Sequence, residues 1–166
     1  ELNISQSKGN RFLFIDTVIG KDTLRVYNVH LQSMSIDEQR LLRDESYQEA
    51  KNTYRDLARR LYKGFQQRAV QIEALEQHIE ASPYPVIVCG DLNDLPYSYT
   101  YRRLRRKLEN AFERAGNGFG FTFNGRLFFL RIDQQFYDSR LRIHHFQTSR
   151  HVPYSDHFPL VATYSF

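Results

Sequence analysis

The chain has 166 residues, 41% hydrophobic and 25% charged, a balance that suits one globular unit with a sizeable core and excludes wholesale disorder. Its 23 Lys and Arg against 19 Asp and Glu leave a formal charge of +4. That suits a polyanionic partner such as nucleic acid, phosphorylated lipid or an anionic membrane face, without selecting one. No apolar run approaches the roughly 20 residues that span a bilayer. Residues 1–11 lack the charged start and apolar stretch of a signal peptide, and the single cysteine, Cys89, rules out an intrachain disulfide.

No repeat, low-complexity tract or Pro/Gly-rich linker divides the chain, so 1–166 reads as one domain. Arg11 to Ile19 alternates loosely and predicts a strand. Gly20-Lys21-Asp22-Thr23 predicts a turn and Leu24 to Leu31 a second strand, together a hairpin. Ser35-x-x-Glu38 is a capping box that opens a helical stretch with apolar residues at Leu41, Leu42, Tyr54, Leu57, Ala58 and Leu61. Gly64 is expected to interrupt it. A second helix then carries Phe65, Ala69, Ile72, Leu75 and Ile79 at helical spacing, up to Ser82-Pro83-Tyr84-Pro85.

Val86 to Cys89 is a short apolar run of the kind buried on both faces of a sheet, with Cys89 expected in the core. The polar turn Gly90-Asp91-Leu92-Asn93-Asp94-Leu95-Pro96 follows. Ser98 is a candidate cap for a basic helix through Leu108 and beyond, and Gly116 to Gly125 is a Gly/aromatic-rich loop. Three further strands are expected at Leu127 to Ile132, Leu141 to Gln147 and Phe158 to Tyr164. Helices mixed with hairpins favour an α/β sandwich with mixed sheets over a purely parallel, doubly wound one.

Four short segments place reactive side chains at or beside strand ends, where α/β sheets bind ligands. They are Asn28-Val29-His30-Leu31, Gly90-Asp91-Leu92-Asn93, Arg131-Ile132-Asp133 and Ser155-Asp156-His157. Phosphate-ester hydrolysis needs such a set. A carboxylate orients and deprotonates water, imidazolium and amide donors meet the charge developing on phosphorus, and a hard cation takes oxygen ligands. Each segment alone has a plainer explanation. Gly-Asp-x-Asn makes an Asx turn, a lone His30 is a satisfied strand histidine, and Asp133 pairs with an arginine. His144-His145 and His151 match no zinc spacing and read as strand and loop residues.

In this order and at these spacings the segments resemble the endonuclease/exonuclease/phosphatase superfamily. Its Asn-x-His-Leu, Gly-Asp-x-Asn and Ser-Asp-His-x-Pro elements correspond to Asn28–Leu31, Gly90–Asn93 and Ser155–Pro159. Pro85 to Leu104 and Gly118 to Asn124 look most like bacterial members. The resemblance implies a four-layer, deoxyribonuclease-like α/β sandwich with mixed sheets. It also implies a metal-dependent phosphoesterase acting on phosphodiesters or phosphomonoesters, with nucleic acid as the default substrate. By the same resemblance, Asp91 would activate water and Asn93 would hold it and touch the scissile phosphate. His157 would donate to a phosphate oxygen, with Asp133 fixing its tautomer. His30 would be a second phosphate-facing histidine, Asn28 a substrate-side or turn-bracing residue, and Asp156 a ligand to Mg²⁺ or Mn²⁺.

Two departures accompany the resemblance. Gln134-Gln135 stands where the family has an aromatic and aliphatic pair. The early strand, Asn and metal-binding Glu of the family are not found before Phe12, and Glu1 lacks their context. The resemblance thus covers the C-terminal two-thirds of a family domain, an N-terminally truncated sandwich. The expectations that follow are weak Mg²⁺ binding, little or no turnover by this stretch alone, an exposed strand edge with an apolar face, and self-association through that edge or partial disorder. The basic residues Arg102 to Lys107, Arg140, Arg142 and Arg150 support nucleic acid only as far as they are not a solvated face. A phospholipid or phosphosugar substrate, or a non-catalytic binding module on the same fold, are the alternatives.

Overall fold

The computed structural model describes residues 12–33, 47–152 and 154–166. The capping box at Ser35–Glu38, Leu41, Leu42 and Glu1 lie outside them. Strands β1 (Phe12–Ile19) and β2 (Asp22–His30) pair antiparallel from Phe12↔Val29 to Ile19↔Asp22. Gly20-Lys21 is therefore the two-residue loop. Gly20 has φ +66°, the positive value that the first position of a tight hairpin turn requires and that glycine adopts without strain.

Helix α1 (Tyr47–Glu80) runs unbroken for 34 residues, so the expected break at Gly64 does not occur. A glycine inside a helix costs only about 1 kcal/mol relative to alanine. At Gly64 the space is needed, because a Cβ there would sit 3.1 Å from Arg68 Nη1. The buried face carries Arg68, Ile72, Leu75 and Glu76, while Tyr54 and Phe65, expected on the apolar face, are exposed with Tyr62 and Val70.

Strand β3 (Val86–Asp91) lies between β2, to which it is parallel, and β5 (Asp133–Tyr137), to which it is antiparallel. The five-stranded sheet has the order β1-β2-β3-β5-β4, with β4 the two residues Glu109–Asn110. Strands β6 (Arg142–Thr148) and β7 (Leu160–Ser165) form a second, antiparallel sheet. Helix α2 (Tyr99–Arg105) is capped by Ser98, whose hydroxyl accepts from the Tyr101 N–H, and stops at Arg105, short of the expected run through Leu108 and beyond. A separate short helix α3 (Ala111–Ala115) follows, capped by Asn110, whose side chain accepts from the Glu113 N–H.

Alternation along β3 sends Val86 and Val88 into one core with Tyr27, Val29, Ile72, Leu75 and Leu104. Ile87 enters another with Leu24, Tyr137, Leu141 and Phe146. The main sheet is thus covered by α1 and α2 on one face and by α3 and the two-stranded sheet on the other, the layered mixed α/β architecture expected. At the edge of the main sheet, Leu13, Ile15, Val18 and Ile19 of β1 are exposed.

Two local expectations are corrected. Residues 127–130 turn instead of forming a strand, since the Leu130 N–H bonds to the Leu127 carbonyl and the Leu130 carbonyl accepts from Thr122 and Phe123. The strand begins only at Asp133. Cys89 is half-buried rather than fully buried; its thiol donates to the Tyr27 carbonyl, and burial raises its pKa.

Candidate active site

Strand register assembles the site. His30 ends β2 directly opposite Asp91, which ends β3, and Asp91 is in turn opposite Asp133, which begins β5. Residues distant in sequence thus form a row across the end of three neighbouring strands. Gly90 permits the close pairing. Its φ is +135°, and an added Cβ would collide with the Val29 carbonyl oxygen, so the backbones of β2 and β3 meet where no side chain fits.

Asp91 Oδ1 accepts the Asn93 N–H at 2.7 Å and Oδ2 accepts the Asn93 side-chain amide at 2.7 Å. This is the Asx turn that the segment alone suggested, and it orients the Asp91 carboxylate. Asn93 Nδ2 also donates to the Leu31 carbonyl at 3.0 Å, tying the turn back to the end of β2. Asn93 adopts φ +49°, a left-handed conformation that asparagine tolerates better than most residues. His30 Nε2 lies 3.7 Å from Asp91 Oδ2, and its ring is largely exposed. Burial pushes the Asp91 carboxyl up to about 6. The nearby Asp133 charge adds to this, and the Asn93 hydrogen bond, His157 and His30 oppose it.

His157 Nδ1 is 2.8 Å from Asp133 Oδ2. That bond raises the His157 pKa against the opposing effect of burial, with Asp133, Asp91 and Asp156 adding attraction. The pair is braced by Thr122, a buried residue that the sequence did not single out. Its Oγ1 accepts the N–H groups of Ile132 and Asp133, each at 3.1 Å, and its carbonyl accepts the Phe158 N–H at 2.7 Å. Phe123 forms a β-bridge with His157 and packs edge-on against its ring, centroids 5.4 Å apart. A threonine inside a loop carries no periodic signal, so only the tertiary contact reveals it.

Gln134 and Gln135 leave Asp133 in register. Buried Gln134 donates to the Arg131 carbonyl and accepts from Asn110, while Gln135 donates to the Leu160 carbonyl and accepts from Tyr164. Hydrogen bonds replace the apolar packing expected there. Asp133 faces His157, not an arginine. Asn28 is exposed two residues before His30, on the same strand face. Asp156 is exposed, and its carbonyl accepts the Asn124 N–H. Among the described residues no group of three His, Cys, Asp or Glu is placed to hold a metal. His144 and His145 contact Ser165 and Gln147. The structure therefore gathers His30, Asp91, Asn93, Asp133 and His157, with Asn28 and Asp156 at the margin.

The sequence profile of the Endonuclease/Exonuclease/phosphatase family matches residues 5–157. The chain belongs to that family. No curated protein matches it. Among solved structures, the family architecture recurs in D. rerio TDP2 complexed with single strand DNA product, with TM-score 0.62 and 15% identity over 100% of this chain and 67% of that one. The human Nocturnin catalytic domain with bound sulfate gives TM-score 0.57 and 17% identity over 95% of this chain and 52% of that one. A Bacteroides thetaiotaomicron mannosyl-6-phosphatase gives 0.55 and 16%, over 95% and 57%. At such identities the likeness establishes the fold. The chain spans about half to two-thirds of the length of these family structures.

Proposed function

We propose that this family member hydrolyses phosphate esters, and the observation that supports it best is the row His30–Asp91–Asp133 with His157 bonded to Asp133. Asp91, with a pKa of about 6, is charged at neutral pH yet still basic enough to take a proton from an attacking water. Asn93 holds its carboxylate in one orientation. Asp133 favours the protonated form of His157, in which the other ring nitrogen carries an N–H for a phosphate oxygen as charge develops there, and exposed His30 offers a second donor. Asn28 sits on the substrate side of the same strand face.

Asp156 supplies the oxygen donor that suits Mg²⁺ or Mn²⁺, and such an ion takes one or two carboxylates with water and substrate phosphate completing its shell. When bound it would neutralise phosphate charge. The test is release of nitrophenolate from bis(p-nitrophenyl) phosphate by the intact gene product, with Mg²⁺ and with EDTA. Asp91→Asn and His157→Ala should each lower kcat by about a hundredfold or more, and EDTA should abolish turnover. Unchanged turnover in both variants overturns the assignment.

Nucleic acid remains the first substrate to test, on different grounds from those the composition suggested. Arg103 pairs with Glu76 and Glu73, Arg105 with Glu109 and Glu113, Lys107 with Glu80 and Arg140 with Asp138. Much of the basic surface is thus already neutralised by carboxylates. What supports unpaired nucleic acid is the pair of loop segments flanking Phe123, where Phe119 on one side is 78% exposed and Phe128 and Phe129 on the other are 63% and 52% exposed, flat rings on which bases stack. Salt-dependent binding of a single-stranded oligonucleotide that weakens in Phe119→Ala and Phe128→Ala supports this. Turnover confined to phosphosugars or phospholipids assigns the alternative, and tight binding with no hydrolysis of any ester assigns the non-catalytic module.

A further inference from the structure

Helix α1 carries a charge that the proposed chemistry leaves unused. Arg68 is fully buried. An arginine side chain in a protein interior needs partners to offset lost hydration, and burial indeed pulls its pKa down, opposed by Asp94 and then Asp91. Its Nη1 donates to the Gln32 carbonyl at 2.9 Å, and its Nε lies 3.4 Å from Asp94 Oδ2. The Phe65 ring covers the guanidinium at 5.0 Å, and Gly64 makes room for it. Three residues further along the helix, Gln71 Oε1 accepts the Gln32 N–H at 2.9 Å. Both backbone groups of Gln32 are therefore held by α1.

The two segments gripped in this way are the ones that position Asn93. Gln32 follows Leu31, whose carbonyl accepts from Asn93 Nδ2, and whose N–H donates to the Asp91 carbonyl. Asp94 follows Asn93 directly. Arg68 thus spans the gap between the end of β2 and the turn after β3, with Asn93 bonded across the same gap.

We propose that Arg68 is a positioning residue for the Asp91–Asn93 pair. It acts through Gln32 and Asp94 and does not touch substrate. The Asn93 amide stays on Leu31 and Asp91 because Arg68 fixes the spacing of the two chain segments that carry those acceptors. This rests on the reading of Asp91 as the group that activates water.

The test uses Arg68→Met, similar in length and uncharged, and Arg68→Lys, charged but without the fork that reaches both partners. The first readout is the Asn93 side-chain amide by NMR in the free protein. Exchange of its protons should speed up about tenfold or more in folded Arg68→Met, and its resonances should move. The second readout is kinetic, with bis(p-nitrophenyl) phosphate. A displacement near 1 Å at the reacting centre should cost about ten- to a hundredfold in kcat with KM little changed. Arg68→Lys should recover part of both losses.

A folded Arg68→Met whose Asn93 amide is unaltered overturns the proposal, as does unchanged kcat in an enzyme that depends on Asp91. Should Arg68→Met not fold, Asp94→Asn is the second variant. It preserves the oxygen that accepts the Leu95 N–H and removes the charge facing Arg68. It should shift the Asn93 amide in the same direction, and an unmoved resonance overturns the proposal. If the wild type hydrolyses no ester, the catalytic reading fails, while the Asn93 amide still decides whether Arg68 sets its place.

Discussion

Thr122→Val removes a hydroxyl acceptor while keeping the side-chain volume, so it isolates what the Thr122 oxygen does. That oxygen accepts two backbone N–H groups, from Ile132 and Asp133, and the residue is fully buried. No cavity forms and no apolar contact is lost, but two donors are left inside the protein without their acceptor. Each such donor costs about 1–3 kcal/mol, and because the two share one oxygen a total of about 2–4 kcal/mol is expected. That is a large part of the about 5–15 kcal/mol that holds a typical domain together. Urea denaturation should show a lower midpoint with an unchanged slope, the signature of lost stability without a change in the surface exposed on unfolding. Thr122→Ser keeps the acceptor and removes one methyl, and should cost only about 1 kcal/mol. The reasoning is refuted if the valine variant lies within about 0.5 kcal/mol of wild type, or if serine is the more damaging substitution. A local signature should accompany the loss. The proton shared between His157 Nδ1 and Asp133 should shift in Thr122→Val, since the bond that places the Asp133 backbone is gone.

Other outcomes follow from the same site. Without divalent cation, the Asp91 carboxyl carbon should titrate near pH 6, well above the ordinary 3.8. Because the folded value is the higher one, the associated stability is fully present below pH 3.8 and is lost as pH rises through 6. That interval corresponds to about 3 kcal/mol, and a titration midpoint near 4 would show that the burial argument is wrong. For His157 the sign has a different consequence. Its raised pKa means that the Asp133 bond stabilises the fold at low pH and ceases to do so as pH climbs past the folded value. Asp133→Asn should lower the imidazole midpoint seen by NMR and destabilise the protein more at pH 6 than at pH 9; equal losses at both would exclude the pairing. Gly90→Ala should cost about 3 kcal/mol or more, from the φ of +135° together with the collision with Val29. A thermal midpoint like that of wild type would show that β2 and β3 are not in this contact.

Hydrophobic patterning and turn chemistry decided much of the architecture. The alternation of residues 12–19 and 24–31, broken at Gly20, specifies the hairpin, and the apolar run from Val86 specifies a strand that must be covered on both faces. Three of the four polar segments were legible because each stands at or beside the end of such a strand, whereas Arg131–Asp133 was expected beside a strand that does not form. Local signals failed where tertiary contacts outweigh them. Gly64 looks like a helix break, yet it is a space reserved for Arg68. Leu127–Ile132 has strand composition but turns back onto Thr122. Gln134 and Gln135 look unfit for a sheet interior until Asn110, Arg131, Leu160 and Tyr164 are found to satisfy their amides.

By itself, then, the sequence determined the hairpin, the buried strand from Val86, the two C-terminal strands and most of the reactive residues near strand ends, because those properties depend on neighbours a few positions away. Only the tertiary structure decided that His30, Asp91 and Asp133 share one row, that His157 is held by Asp133, and that Thr122 and Arg68 support them. Those facts depend on strand register and on packing between segments up to about a hundred residues apart in the chain, and no local pattern encodes them.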